Sequence, residues 1–204
     1  MEYDLNQLAK KLPNSKIALP IKFISIDGHA GSGKSRFAKL LSEEMKCEVI
    51  HTDDFASWDH PLDWWPRLIS EIFEPIKNGA QYLSYEKSTW VKESPIEKVE
   101  NQSVTPIMLI EGVSSSRIEL RNYISFAVWV DTPLDVCFQR GIERDQKTGP
   151  NTSLDKSEIQ KLWDEWLVDE QKYIERDSPQ KYANLTIDGT ASFESQLEAF
   201  LQAL

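Results

Sequence analysis

The chain has 204 residues, 40% of them apolar, and carries 33 acidic against 23 basic side chains for a net charge of −10. That is enough chain for one domain with a substantial core, and the acidic balance argues against a surface built for nucleic acid. Cys47 and Cys137 lack metal-ligand spacing, no secretory leader opens the sequence, and no apolar run is long enough to span a bilayer. The expectation is a protein of the reducing cytoplasm with two buried free thiols.

Leu5, Leu8 and Leu12 are spaced for a short helix over 2–12, which Pro13-Asn14-Ser15 ends. Residues 21–27 form an apolar strand, and 34–46 a helix with Phe37, Leu40, Leu41 and Met45 on one face. Between them lies Gly28-His29-Ala30-Gly31-Ser32-Gly33-Lys34-Ser35, the pattern G-x-x-x-x-G-K-[ST] of a phosphate-binding loop. Glycines let backbone N–H groups wrap phosphate oxygens, and the helix that follows presents its positive end. Lys34 is placed to reach the β- and γ-phosphates, and the Ser35 hydroxyl to ligate Mg²⁺. A strand before the loop and a helix after it predict binding of a nucleoside triphosphate with Mg²⁺.

Residues 48–52 are a second short strand, ending at Asp53-Asp54-Phe55. A helix is expected from Leu62 to Lys77, with Pro66 in its first turn and Asn78-Gly79 closing it. Residues 81–100 read as a β-rich excursion. Strands follow at 106–112 and 126–131, the latter leading into a helix with Thr132 as N-cap that runs to about Asp145. A loop over 146–153, a long helix over 154–177, a strand at 184–188 and a closing helix over 191–204 complete the chain. Strands alternating with helices predict an α/β domain with a parallel sheet covered on both faces, its site at the carboxyl ends of the strands.

Four marked positions, Gly28, Asp53, Glu111 and Asp131, each close a predicted strand. Glu111 is a candidate Mg²⁺ contact beside Ser35. Asp53 and Asp54 are adjacent and should diverge, one facing the site as proton acceptor while the other caps a turn or meets the metal. Arg140 and Arg144, four apart on one helix face, are candidates to stabilise transferring phosphoryl charge, with the loop beyond them as a lid. Trp58, Tyr85 and Trp90 are candidates for contact with a planar substrate, whereas Trp65, Trp163 and Trp166 have the spacing of core residues. His29 lies inside the loop, on the side where an acceptor would approach.

With these residues placed, the chain resembles the uridine kinase-like branch of P-loop nucleoside and nucleotide kinases. The matching pieces are Ile26 to Ser35, Asp53-Asp54-Phe55, Leu109-Ile110-Glu111-Gly112, Trp129-Val130-Asp131-Thr132-Pro133 and Arg140 to Asp145, spanning about residues 21–145. The resemblance implies a three-layer fold around a five-stranded parallel sheet, one domain over 1–204 with an acceptor-side excursion at about 53–100 and a lid at about 140–153. It implies ATP and Mg²⁺, Asp53 as base on a hydroxyl, and Arg140 and Arg144 as lid arginines. The implied partner is a small-molecule acceptor, most directly a nucleoside such as uridine, with no nucleic acid and no membrane; homo-oligomer formation stays open. Ala56 stands where the family often has tyrosine, and the tyrosine–acid substrate motif is represented only by Tyr85-Glu86. Both departures fall on acceptor recognition, so a nucleotide, another riboside, a pantothenate-like compound or a sugar remain as alternatives. So does a nucleotide-binding NTPase or regulatory module without such an acceptor.

Overall fold

The computed structural model describes residues 3–57, 61–88, 96–148 and 154–204, with backbone alone at 96–99. Expectations at Trp58, at Trp90 and in the loop 149–153 lie outside the described residues. The order of elements is α1 (Leu5–Lys11), β1 (Lys22–Gly28), α2 (Lys34–Met45), β2 (Glu48–His51), α3 (Trp65–Leu68), a π-helical segment (Ile69–Phe73) and α4 (Glu74–Lys77). Then come β3 (Tyr82–Ser88), β4 (Ile96–Ser103), β5 (Ile107–Glu111), β6 (Phe126–Asp131), α5 (Leu134–Lys147), α6 (Lys156–Asp177), α7 (Pro179–Tyr182), β7 (Leu185–Asp188) and α8 (Phe193–Gln202).

Five strands form one sheet in the order β2-β5-β1-β6-β7, every pairing parallel. Successive side chains on β1 face opposite ways, which splits the core into two layers. Phe23 joins Ile50, Met108, Ile110 and Ala127 beneath α3, the π segment, α4 and the hairpin residues Leu83 and Tyr85. Ile24 and Ile26 join Leu109, Val128 and Val130 beneath α1, α2 and α8. Each fully buried Phe, Ile or Leu in these layers contributes about 1.5–3 kcal/mol. The expected three-layer α/β architecture and five-stranded parallel sheet are therefore present. The excursion is an antiparallel hairpin of β3 and β4, separate from the main sheet.

Three local expectations need correction. The helix predicted from Leu62 begins at Trp65 and is interrupted by the π segment. Pro75 has no N–H to give Glu71, and the Glu74 N–H reaches back to the Ile69 carbonyl instead. Thr132 does not cap α5; Pro133 holds the cap position, and the Thr132 hydroxyl donates to the Ser32 carbonyl at 2.8 Å. Asp53 and Asp54 sit not on an extended chain but in a 3₁₀ turn, Thr52–Asp54.

Helices α5 and α6 pack through a small third cluster of Ile142, Ile159 and Trp163, against which Ala30 and Phe138 also rest. Gly141 permits that approach: a Cβ there would lie 2.0 Å from the Trp163 ring.

Candidate active site

The loop from Gly28 to Ser35 joins the end of β1 to the start of α2. Gly31 takes φ +80°, and a Cβ on it would meet the Cys137 carbonyl at 2.1 Å, so only glycine fits there. Gly33 caps α2 at φ +97° without any side-chain hydrogen bond. The first N–H groups of the helix are thus free of a side-chain cap, the condition for receiving an anion. Lys34 is buried and its Nζ donates to the His29 carbonyl at 3.2 Å.

Three parallel strands deliver the acids. His51 of β2, Glu111 of β5 and Ile26 of β1 are register partners across the sheet. Glu111 is buried; its Oε1 accepts the Ser35 hydroxyl at 2.9 Å and its Oε2 lies 2.7 Å from His51 Nδ1. Burial alone would raise the Glu111 carboxyl, but the His51 hydrogen bond, the Lys34 charge and Ser35 hold it below the usual range. A hydroxyl and one ionised carboxylate in contact fit Mg²⁺, which keeps water and phosphate oxygens in its other positions. No cluster of three or more His, Cys, Asp or Glu placed to hold a metal exists among the described residues.

Asp53 and Asp54 diverge as expected, although successive residues of a 3₁₀ turn do so by rotation rather than by pleating. Asp53 is exposed, within range of the charges of Glu111, Lys34, His51 and Arg144. Crowding by surrounding protein raises its carboxyl, and repulsion from Glu111 adds to this against the three cations. Asp54 is buried and turns the other way, with Oδ2 at 3.4 Å from the Tyr85 hydroxyl and 3.2 Å from Lys87 Nζ. It is not joined to Ser35 and Glu111. Tyr85 lies in β3, and its buried ring stacks on Phe55 with centroids 4.9 Å apart. Trp64 is buried as well, beneath the Arg117 guanidinium.

The two arginines part company. Arg140 Nη1 donates to the Gly189 carbonyl at 3.2 Å, and would lie 3.7 Å from a Cβ on Gly33. It borders the phosphate loop directly. Arg144 is exposed, hydrogen-bonded to Asp145 at 2.8 Å and set over the Trp163 ring.

Two acids at the site were not singled out by sequence reasoning. Asp27, fully buried at the end of β1, accepts five hydrogen bonds, from the Gly28, Ser114 and Ser116 amides, the Ser116 hydroxyl and the Tyr173 hydroxyl. An acid inside an apolar strand was the available signal. Glu170 of α6 grips the loop itself: Oε1 accepts the Ala30 N–H at 2.7 Å and Oε2 meets His29 Nδ1 at 2.8 Å. Nothing in the sequence separates Glu170 from the other acids of that helix.

A parallel α/β sheet with this loop at the end of its central strand, and an acid beside the loop serine, defines a P-loop kinase-type domain. No protein-family model matches the chain. A uridine kinase of Pasteurella multocida is 30% identical over 146 residues, covering 61% of this chain and 67% of that protein. A uridine kinase of Escherichia fergusonii is 30% identical over 148 residues, covering 60% and 67%. A possible uridine kinase from Bacillus stearothermophilus superposes with a TM-score of 0.60 at 20% identity, over 90% of this chain and 97% of the other. A sugar kinase from Janibacter superposes at 0.53 with 15% identity, over 90% and 94%; these two likenesses concern the fold. The chain belongs to the uridine kinase-like family of P-loop kinases, and its chemistry is kinase-type phosphoryl transfer.

Proposed function

We propose that the protein is an ATP-dependent kinase that phosphorylates a hydroxyl of a small molecule, with a nucleoside such as uridine as the first acceptor to test. The observation that carries this reading is the meeting of Lys34, the Ser35–Glu111 pair and Asp53 at the carboxyl ends of β1, β5 and β2.

In this reading the loop from Gly28 to Ser35 cradles the triphosphate, and Lys34 leaves the His29 carbonyl for the β- and γ-oxygens. Ser35 and Glu111 would hold Mg²⁺, which would supply positive charge to those oxygens. Asp53 takes the proton of the acceptor hydroxyl as that oxygen bonds to the γ-phosphorus and the bond to the β-phosphate oxygen breaks. A carboxyl raised above the usual range accepts a proton more readily than an ordinary one. Arg140 is already beside the loop, and Arg144 reaches the transferring group by exchanging Asp145 for it.

A second reading keeps the donor and changes the acceptor to a nucleotide, another riboside or a sugar. Of these the sugar is favoured by the burial of the Tyr85 ring against Phe55 and the contact of its hydroxyl with Asp54, which leave Tyr85 no open face for a planar base. The deciding experiment is ADP release across a panel of nucleosides, nucleotides and sugars, with Lys34→Ala as blank. Uridine-dependent release supports the first reading. Release with a different acceptor alone supports the second, and acceptor-independent hydrolysis sinks both.

A further inference from the structure

We propose that Glu170 is a positioning residue that holds the leading turn of the phosphate loop in its binding shape and ties that shape to helix α6. Both oxygens of this buried carboxyl go to consecutive loop residues, to the Ala30 N–H at 2.7 Å and to His29 Nδ1 at 2.8 Å. The carbonyl of the same turn, at His29, is the resting partner of Lys34 Nζ. Displacing the turn therefore displaces the lysine that meets the phosphates.

Neighbouring contacts on α6 and β6 point the same way. Tyr173, three residues on and on the same helix face, donates to Asp27 at 2.6 Å, immediately before the loop begins. Ala30 rests on the cluster that joins α5 to α6, and the His29 ring meets Trp129 edge-on with centroids 5.4 Å apart. The loop is thus clamped from one helix at Asp27, His29 and Ala30. Were charge the purpose, a carboxyl beside a phosphate cradle would be the wrong group. Its contribution is geometric, a fixed acceptor for the part-buried Ala30 amide.

The inference rests on the reading of this loop as the donor site, and the test separates the two. It uses the full chain, a fluorescent ADP analogue with Mg²⁺, and hydrogen exchange at the Ala30 amide in nucleotide-free protein. Losing a charge-assisted hydrogen bond in Glu170→Ala is expected to weaken nucleotide binding about tenfold and speed Ala30 exchange about tenfold. Glu170→Gln keeps an oxygen for Ala30 and offers an N–H to His29, so both quantities should stay within about threefold of wild type. Unchanged Ala30 exchange or unchanged affinity in Glu170→Ala overturns the proposal, as does a Gln variant that loses as much as the Ala variant. Should Glu170→Ala not fold, Ala30 exchange in Glu170→Gln decides alone, near wild type in support or about tenfold faster against. A wild-type chain that binds no nucleotide would fail the donor reading, while the exchange comparison would still decide what Glu170 does.

Discussion

His51 and Glu111 are register partners on adjacent parallel strands, and their side chains meet at 2.7 Å between Nδ1 and Oε2. The hydrogen bond to Glu111 raises the imidazole above its ordinary 6.5, against the opposing effect of burial. The Glu111 carboxyl, despite burial, is held below its ordinary 4.5. A raised histidine stabilises the fold fully below 6.5 and loses that contribution as pH rises through its elevated value. A lowered carboxyl stabilises above 4.5 and loses its contribution as pH falls through its depressed value. In chelator-treated protein, the melting difference between wild type and His51→Gln should therefore be largest between pH 4.5 and 6.5 and shrink above it. A difference that does not vary with pH would count against the ion pair.

Asp53 is exposed, whereas its neighbour Asp54 is buried against the hairpin. Replacing Asp53 by Asn should lower kcat with the competent acceptor by about 10²–10⁴-fold. Nucleotide affinity should change little, because no hydrogen bond joins Asp53 to the loop among the described residues and its link to Lys34 is through charge alone. Single-turnover transfer and nucleotide titration on the same preparation check both halves. Turnover at the wild-type level would remove Asp53 from the role of base.

Gly141 offers a test in which two effects oppose one another. In a free helix, Gly→Ala stabilises by about 1 kcal/mol. Here the new Cβ would lie 2.0 Å from the Trp163 ring, at the α5–α6 contact. Overpacking at such a contact costs about 1–3 kcal/mol, so Gly141→Ala should destabilise on balance. Urea unfolding measures the sign, and a stabilised variant would show that the two helices approach less closely.

Tyr173 donates to Asp27, whose carboxyl is raised by burial and brought partway down by Ser116, Tyr173 and Gly28. Its stabilising contribution is complete below 3.8 and is lost as pH rises through its raised value. Tyr173→Phe removes one of the bonds that favour the ionised form, at a cost of about 1.5–3 kcal/mol when Asp27 is charged. The loss should be larger at neutral pH than under acid conditions, as chemical unfolding at the two pH values would reveal. An equal loss at both would mean that the hydroxyl does not distinguish the charged carboxyl.

The phosphate loop was legible because its spacing, glycines and flanking periodicity are local properties, and the strands because they read as short apolar runs. Glu111 was legible for the same reason, as an acid ending such a run. The π segment was not, since Pro75 acts through a bond it cannot make rather than through any periodicity. Thr132 followed the pattern of a helix cap, but the nearby Ser32 carbonyl captured its hydroxyl. Tyr85 resembled a ring available for a substrate until folding brought Phe55 and Asp54 against it.

By itself the sequence determined the order of elements, the donor loop and the acid beside it, because each is written in residues close together in the chain. Tertiary structure decided what those residues touch. It set His51 beside Glu111 across two strands, sent Asp54 to Lys87, and brought Glu170 from 140 positions away onto the Ala30 amide. Such pairings depend on strand order and helix docking, and neither leaves a periodic trace in the chain.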